Sequence, residues 1–344
     1  MNEKEADVRK RIWVPLLAAL VLVAAAAGWV VYQNDYDLAE QKVTITGGAQ
    51  PLQGVLALPA HGRGPYGLVV FVHGDGPADA TQDTFYRPIW EAMAKAGYAS
   101  LSWNKPGVDG APGNWLHQSM QDRADETVAA IEWAKRRSDI DPDRIGLWGA
   151  SQAGWVMPKV ARQSPDVRFV VAVSPAINWL RQGRYNLLAE LRARHASPSE
   201  TAARIAQSDR ERSAFRTGQT YERYKAAGGD VSGISRDRWA FIAKNHTSDA
   251  SADLAAVRVP VLLVLAGHDI NVDVADTEAG YRRHVRMPGQ LRILRYPDAT
   301  HALVRKDVED STVKTVVVAI AAPRSLFVPG YLRDQRRYLE EGGR

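Results

Sequence analysis

The 344-residue chain contains no cysteine. Disulfide staples, thiolate metal sites, iron–sulfur clusters and a cysteine nucleophile are thereby excluded. The redox compartment stays open, since a chain without thiols suits any of them. The residue spacings of a zinc-protease helix, an EF-hand or a P-loop are missing as well, and no G-x-G-x-x-G follows a first strand. No metal, nucleotide or dinucleotide cofactor is therefore expected. Charge of one sign is not concentrated either. The formal balance of +5 is dispersed, apart from Lys4, Arg9, Lys10 and Arg11 near the start and Arg333, Arg336 and Arg337 near the end. The electrostatic footprint of a nucleic-acid partner is lacking. Neither a solenoid-length repeat nor a low-complexity tract occurs. With 24% charged and 45% hydrophobic residues the composition is that of a globular protein, and the length suits one large α/β domain, or two at most.

One long apolar run stands apart. Ile12 to Tyr32 holds 21 residues and no charge. At the rise of an α-helix it spans about 30 Å, the thickness of a bilayer's hydrocarbon core. Trp13 at one end and Trp29 and Tyr32 at the other suit the two interfaces. The basic group before the run and Asp35, Asp37 and Glu40 after it place residues 1–11 in the cytoplasm. The reading is a single-pass inner-membrane protein with a signal-anchor helix over 12–32 and an extracytoplasmic body over 38–344. A cleaved signal peptide, with Ala24 to Ala27 as the small-residue site, is the rival. The anchor is preferred because the apolar run continues through Val30 and Val31.

After Gln33 no second run of membrane length follows, and strands alternate with helices. Gln41–Thr46 and Gly54–Leu58 flank a Gly47-Gly48 turn, which predicts an antiparallel hairpin. Gly67–Val72 (GLVVFV) is a continuous apolar run of the kind buried on both faces of a parallel sheet, and Ala99–Trp103, Arg144–Trp148, Phe169–Val173, Val259–Leu265 and Leu291–Tyr296 are read as further strands. Helices are expected over Phe85–Ala96, Gln118–Arg137, from near Gln152, and over Val274–His284. The sum is an α/β fold with a mostly parallel central sheet. Residues 178–253 break the alternation. They are rich in Arg, Glu, Ala and Gln, lack apolar strand runs, and read as a helical cap inserted between two strands.

The sharpest chemical signal is Gly149-Ala-Ser151-Gln-Ala-Gly154, between an apolar strand and a helix. A serine on such a turn has its hydroxyl presented above the strand end, and the following N–H groups can stabilise an oxyanion. The pattern departs from G-x-S-x-G at Ala153. A serine nucleophile needs a base, and the base an orienting acid, each at the end of a later strand. His301 follows the last strand; His284 ends a helix beside three arginines and reads as surface. Asp269 follows the Val259–Leu265 strand. Asp273 is the second choice, with Asp276 and Asp298 less well placed. The turn His73-Gly-Asp75-Gly76 after an earlier strand offers a second oxyanion donor, so the N–H groups of Asp75 and Gln152 are nominated. Trp155, Trp179 and Trp239 are candidate substrate-pocket residues. His73 and His268 are taken as structural.

Together the HGDG turn, IDPDRIGLWGASQAG, VPVLLVLAGHD and YPDATH resemble the α/β-hydrolase superfamily, in its bacterial esterase and serine-aminopeptidase-like branch. The resemblance covers about residues 40–340. It implies Ser151 as nucleophile, His301 as base, Asp269 as acid, and a cap at 178–253 over an acyl pocket. One family loop departs: Trp103–Gly110 carries Asn104 where an acid is usual. The expected function is a serine hydrolase that cleaves a small-molecule ester, possible amide or thioester substrates included, through an acyl-enzyme. Two alternatives stand beside it. One is a catalytically silent envelope interaction module. The other is a serine peptidase, which would want an acid in the cap to read a free amino terminus; Glu190, Glu200, Glu211 and Glu222 are the choices there. Oligomeric state is not legible.

Overall fold

In the computed structural model the described residues are 3–343, with side chains from Leu16 onward. The side chains of Lys4, Arg9, Lys10, Arg11 and Trp13 lie outside the described set. Helix α1 (Glu3–Gln33) carries the apolar run as one continuous helix. Within it Leu16–Gln33 has a mean hydropathy of 2.0 and is not buried against the rest of the chain.

The body is built on one eight-stranded sheet. Its strands are β1 (Leu38–Ile45), β2 (Leu52–Pro59), β3 (Tyr66–Val72), β4 (Tyr98–Trp103), β5 (Ile140–Ala150), β6 (Val167–Val173), β7 (Val261–His268) and β8 (Leu291–Thr300). Their spatial order is β1-β2-β4-β3-β5-β6-β7-β8. The opening hairpin pairs antiparallel, β2 pairs antiparallel with β4, and every later pairing is parallel. The apolar runs behave as buried two-faced strands should: Leu68 to Phe71 and Leu262 to Val264 are fully buried.

Helices cover both faces. They are α2 (Arg87–Ala94), α3 (Met120–Lys135), α4 (Met157–Gln163), then the insertion's α5 (Trp179–Ala193), α6 (Pro198–Arg216), α7 (Tyr221–Ala226) and α8 (Arg236–Asn245). After them come α9 (Ser251–Ala256), α10 (Val274–His284), α11 (Lys306–Glu309), α12 (Thr312–Ala321) and α13 (Tyr331–Glu340). Local sequence sets several boundaries. Ser119 and Asp122 form a reciprocal capping box on α3, and Asn178 caps α5.

The insertion between β6 and β7 leaves and returns at one place. Trp179 donates its N–H to Ser248, Ala250 donates to Ile177, and the Asn178 side chain donates to Asp249 at 2.8 Å. Beyond that junction α9 packs on α4 and α10, and Leu254 belongs to the main core beside the sheet. The helices of the insertion between these crossings are α5 to α8.

Candidate active site

β5 ends at Ala150, and Ser151 follows with φ +57°, the left-handed region that non-glycine residues rarely occupy. The turn continues as a short 3-10 helix, Ser151–Trp155, before α4. Ser151 and Gln152 precede the first hydrogen bond of that turn, so their N–H groups are not spent within it. The close packing explains the residue types. A Cβ on Gly149 would lie 2.6 Å from Cβ of Ala153 and 2.8 Å from the Val72 carbonyl; one on Gly154 would lie 2.4 Å from the Ala176 carbonyl. The departure at Ala153 is thus accommodated by Gly149, while the glycine that strand–helix proximity requires falls at 154.

Asp269 comes directly after β7 and is buried. Its Oδ1 accepts the N–H groups of Asn271 and Val272, both at 2.8 Å, and its Oδ2 accepts from His301 Nδ1 at 2.7 Å. The strand pairing makes this meeting. β8 runs further than its apolar residues suggest, to Thr300, which pairs with His268. A Cβ at Gly267 would sit 2.2 Å from the Pro297 carbonyl, so only glycine lets the two strand ends close together. With Nδ1 committed to Asp269, Nε2 is the ring nitrogen left for the cavity that His301 and Ser151 both line. Asp273 is otherwise engaged: its carboxylate caps α10 by accepting from Ala275 and Asp276.

The turn after β3 lies beside the turn at Ser151, because Val72 pairs with Gly149. Its carbonyls are held from behind by two buried cations that sequence reasoning did not single out as site residues. Arg123 donates to the His73 carbonyl and to Oε1 of Gln152, both at 2.5 Å. Lys105 Nζ donates to the carbonyls of Gly74 and Gly76 at 2.6 and 2.7 Å. Burial, with Arg123 adding to it, pushes the Lys105 ammonium well below its ordinary pKa. The signal for Arg123 was present, since it shares the buried face of α3 with Thr127, Ala130 and Ala134. In the departed loop, Asn104 accepts the Ala80 N–H at 2.8 Å, a structural role.

The Asp75 side chain is a junction. It accepts Nε2 of Gln152 at 3.0 Å and a bidentate pair from Arg238 of α8 at 2.9 and 2.6 Å. Burial works to raise its pKa, but the Arg238 guanidinium prevails and holds it below the usual carboxylate range. His73 is structural, as expected. Its Nε2–H donates to the Trp103 carbonyl at 2.7 Å and its Nδ1 accepts the Tyr86 hydroxyl at 3.1 Å. Burial first, then the Lys105 charge, lowers its pKa to about 3.

Ser151, His301, Gly74, Asp75, Gln152 and Arg238 border one cavity of about 840 Å³. Trp155 and Trp179 line it, stacked at 4.8 Å between ring centroids, with the Trp155 indole N–H donated to the Ile177 carbonyl. Trp239 does not line it. The ring is buried in a separate small core within the insertion, against Phe215 and Tyr224, and its N–H goes to the Gln219 carbonyl. The sequence could not distinguish an insertion's own core from its lower surface. Among the described residues no group of acidic and histidine side chains is arranged to hold a metal ion.

Comparison with known proteins places this geometry in context. The family model described as serine aminopeptidase, S33, matches residues 63–308. A protein of the traX-finO intergenic region of Escherichia coli is 33% identical over 84 residues, 24% of this chain and 28% of the relative. The esterase EstD of Thermotoga maritima is 24% identical over 149 residues, 42% of this chain and 34% of that protein. The matched segments thus span about a third or less of these relatives. The structure of the Pyrococcus furiosus esterase Pf2001 superposes over 82% of this chain and 90% of its own, at a TM-score of 0.55 and 16% identity, a likeness of fold.

Proposed function

The chain belongs to the serine aminopeptidase, S33, family of the α/β-hydrolases, and from that membership we propose that it is a serine hydrolase of esters whose triad is Ser151, His301 and Asp269. The observation that carries the reading is the partly buried Asp269–His301 hydrogen bond at 2.7 Å, whose histidine lines a cavity with a serine in left-handed conformation. Ser151 Oγ attacks the ester carbonyl while His301 Nε2 takes its proton. Asp269 holds the imidazole tautomer and stabilises the charged ring. The N–H groups of Asp75 and Gln152 receive the oxyanion. Collapse expels the alcohol with the proton from His301, and water activated by the same nitrogen releases the acid from Ser151.

Ester specificity is favoured over aminopeptidase specificity by the cavity's acids. None of Glu190, Glu200, Glu211 and Glu222 borders it; its carboxylates are Asp75, held by Arg238, and Asp83. In the same reading α1 is an uncleaved anchor, residues 1–11 are cytoplasmic, and the hydrolase body with its helical cap stands outside the inner membrane. The substrate is a small-molecule ester, with no cofactor and no nucleic-acid partner.

The test is a fluorophosphonate probe on the detergent-solubilised full chain beside Ser151→Ala. Labelling of the wild type alone, with hydrolysis of p-nitrophenyl butyrate, is the expected result. A folded wild type that neither labels nor turns over would favour a silent interaction module instead.

A further inference from the structure

The helix α12 has an unusual sequence for an exposed element, Thr-Val-Lys-Thr-Val-Val-Val-Ala-Ile-Ala. Val313, Val316, Val317 and Ile320 fall at i, i+3, i+4 and i+7, which is one face, and they are 73, 51, 56 and 53% exposed. A soluble surface rarely carries such a stripe without a partner. The opposite face turns inward: Thr315 and Ala319 line the cavity that Ser151 and His301 share.

The position of α12 relative to α1 says what covers the stripe. The Trp29 indole N–H, on the last turns of α1, donates to the Ala321 carbonyl at 2.8 Å. Asn34 donates to the Ile320 carbonyl at 2.8 Å. Just beyond α12, Arg324 donates to the carbonyls of Gln33 and Asp35 at 2.7 Å each and pairs with Glu91 of α2. The end of α12 is therefore fastened to the end of the membrane helix at the level of Trp29 and Tyr32, the aromatic pair that marks a bilayer interface. An apolar helix face tied at that depth is continuous with the apolar surface of α1.

We propose that the exposed face of α12 rests in the interfacial layer of the membrane that α1 crosses, and that the cavity takes from that leaflet an ester bearing a long acyl chain. The substrate clause rests on the serine-hydrolase reading; the docking clause does not. The cavity lining suits such a chain: it includes Phe85, Tyr86, Val304, Ala319 and Leu326, with Thr315, Gln82 and Asp83 among its polar members. A chain leaving the leaflet would pass under α12 to reach Ser151 without its hydrocarbon crossing open water, which removes the largest cost of extracting a lipid-like substrate.

The chain's lack of cysteine makes the test direct. Val317→Cys and, as a control on the exposed insertion, Lys225→Cys are labelled with an environment-sensitive fluorophore. The full chain is then placed in vesicles of phosphatidylethanolamine and phosphatidylglycerol. Quenching by lipid-borne nitroxides at position 317 but not at 225 is expected. Equal, water-like behaviour at both positions overturns the docking. In parallel, Val316→Asp/Val317→Asp is compared with wild type on two esters. Turnover of a long-chain ester dissolved in the vesicles should fall by about tenfold, and that of p-nitrophenyl butyrate in water should change less than about twofold. Losses that are equal on both esters, or absent on both, overturn the substrate clause. A wild type inactive on both esters, with the position 317 label in lipid, refutes the hydrolase reading and leaves the membrane docking intact.

Discussion

Asp269 and His301, 32 residues apart in sequence, are joined by a 2.7 Å hydrogen bond, and the second oxygen of the same carboxylate is taken by two backbone N–H groups. The acid therefore cannot turn away from the imidazole without losing its own loop.

Asp269→Asn tests that link. Asparagine keeps an oxygen for Asn271 and Val272 but presents an amide where His301 needs an acceptor. The expected loss in kcat on a soluble ester is roughly 10²- to 10⁴-fold, with KM little changed. An Asp269→Asn enzyme as active as wild type would remove Asp269 from the triad.

The turn Gly149–Gly154 makes a paired prediction. Gly154→Ala forces a methyl against the Ala176 carbonyl and should cost about 1–3 kcal/mol of stability together with most activity. Ala153→Gly removes a methyl that Gly149 already accommodates. It should cost about 1 kcal/mol or less and leave fluorophosphonate labelling in place. Thermal melts and labelling rates of the two variants decide whether the glycine requirement sits at 154.

Lys105→Met removes the donor shared by the Gly74 and Gly76 carbonyls. Two partly buried carbonyls lose their partner, at about 1 kcal/mol each, and the Asp75 N–H loses its fixed direction. The expected signature is a fall in kcat of about tenfold or more, with the butyrate KM held within about threefold, since the distortion acts on the oxyanion. A change in KM alone would mean that the turn serves binding only.

The pH dependence of stability follows from His73. Its folded pKa, about 3, lies below the ordinary histidine value of 6.5, so the unfolded chain takes up the proton first as pH falls. The stabilisation is complete above pH 6.5 and drains away as pH falls toward 3, on the order of a few kcal/mol in all. Melting temperatures of wild type and His73→Gln, measured across that window, should converge at the acid end. Parallel curves would assign the acid sensitivity elsewhere.

Arg238→Ala releases the insertion's helix α8 from Asp75. We expect a higher KM for bulky esters, with the butyrate kcat nearly kept, because the bond joins the insertion to the oxyanion turn without touching the reacting atoms. Steady-state kinetics on an ester series reads this directly.

What could be read along the chain was whatever depends on neighbours in sequence. Apolar runs marked central strands such as β3 and β7, because a strand buried on both faces leaves no room for polar alternation, whereas the edge strand β8 keeps Arg292 and Arg295 and is only partly buried. The charge-free run over 12–32 marked a helix long enough to cross a membrane. Ser151, Asp269 and His301 were legible because each ends or follows a strand, and strand ends gather on one side of such a sheet. Tertiary structure decided what depends on packing between distant segments. It drew Arg123 and Lys105 behind the turn at residues 73–76, where buried carbonyls require donors that local sequence does not specify. It gave Trp239 to the insertion's own core, although Trp155 and Trp179 border the cavity, since indole rings in three helical segments look alike until the helices meet. And it set the end of α12 against the end of α1, because only the fold brings residue 321 to residue 29.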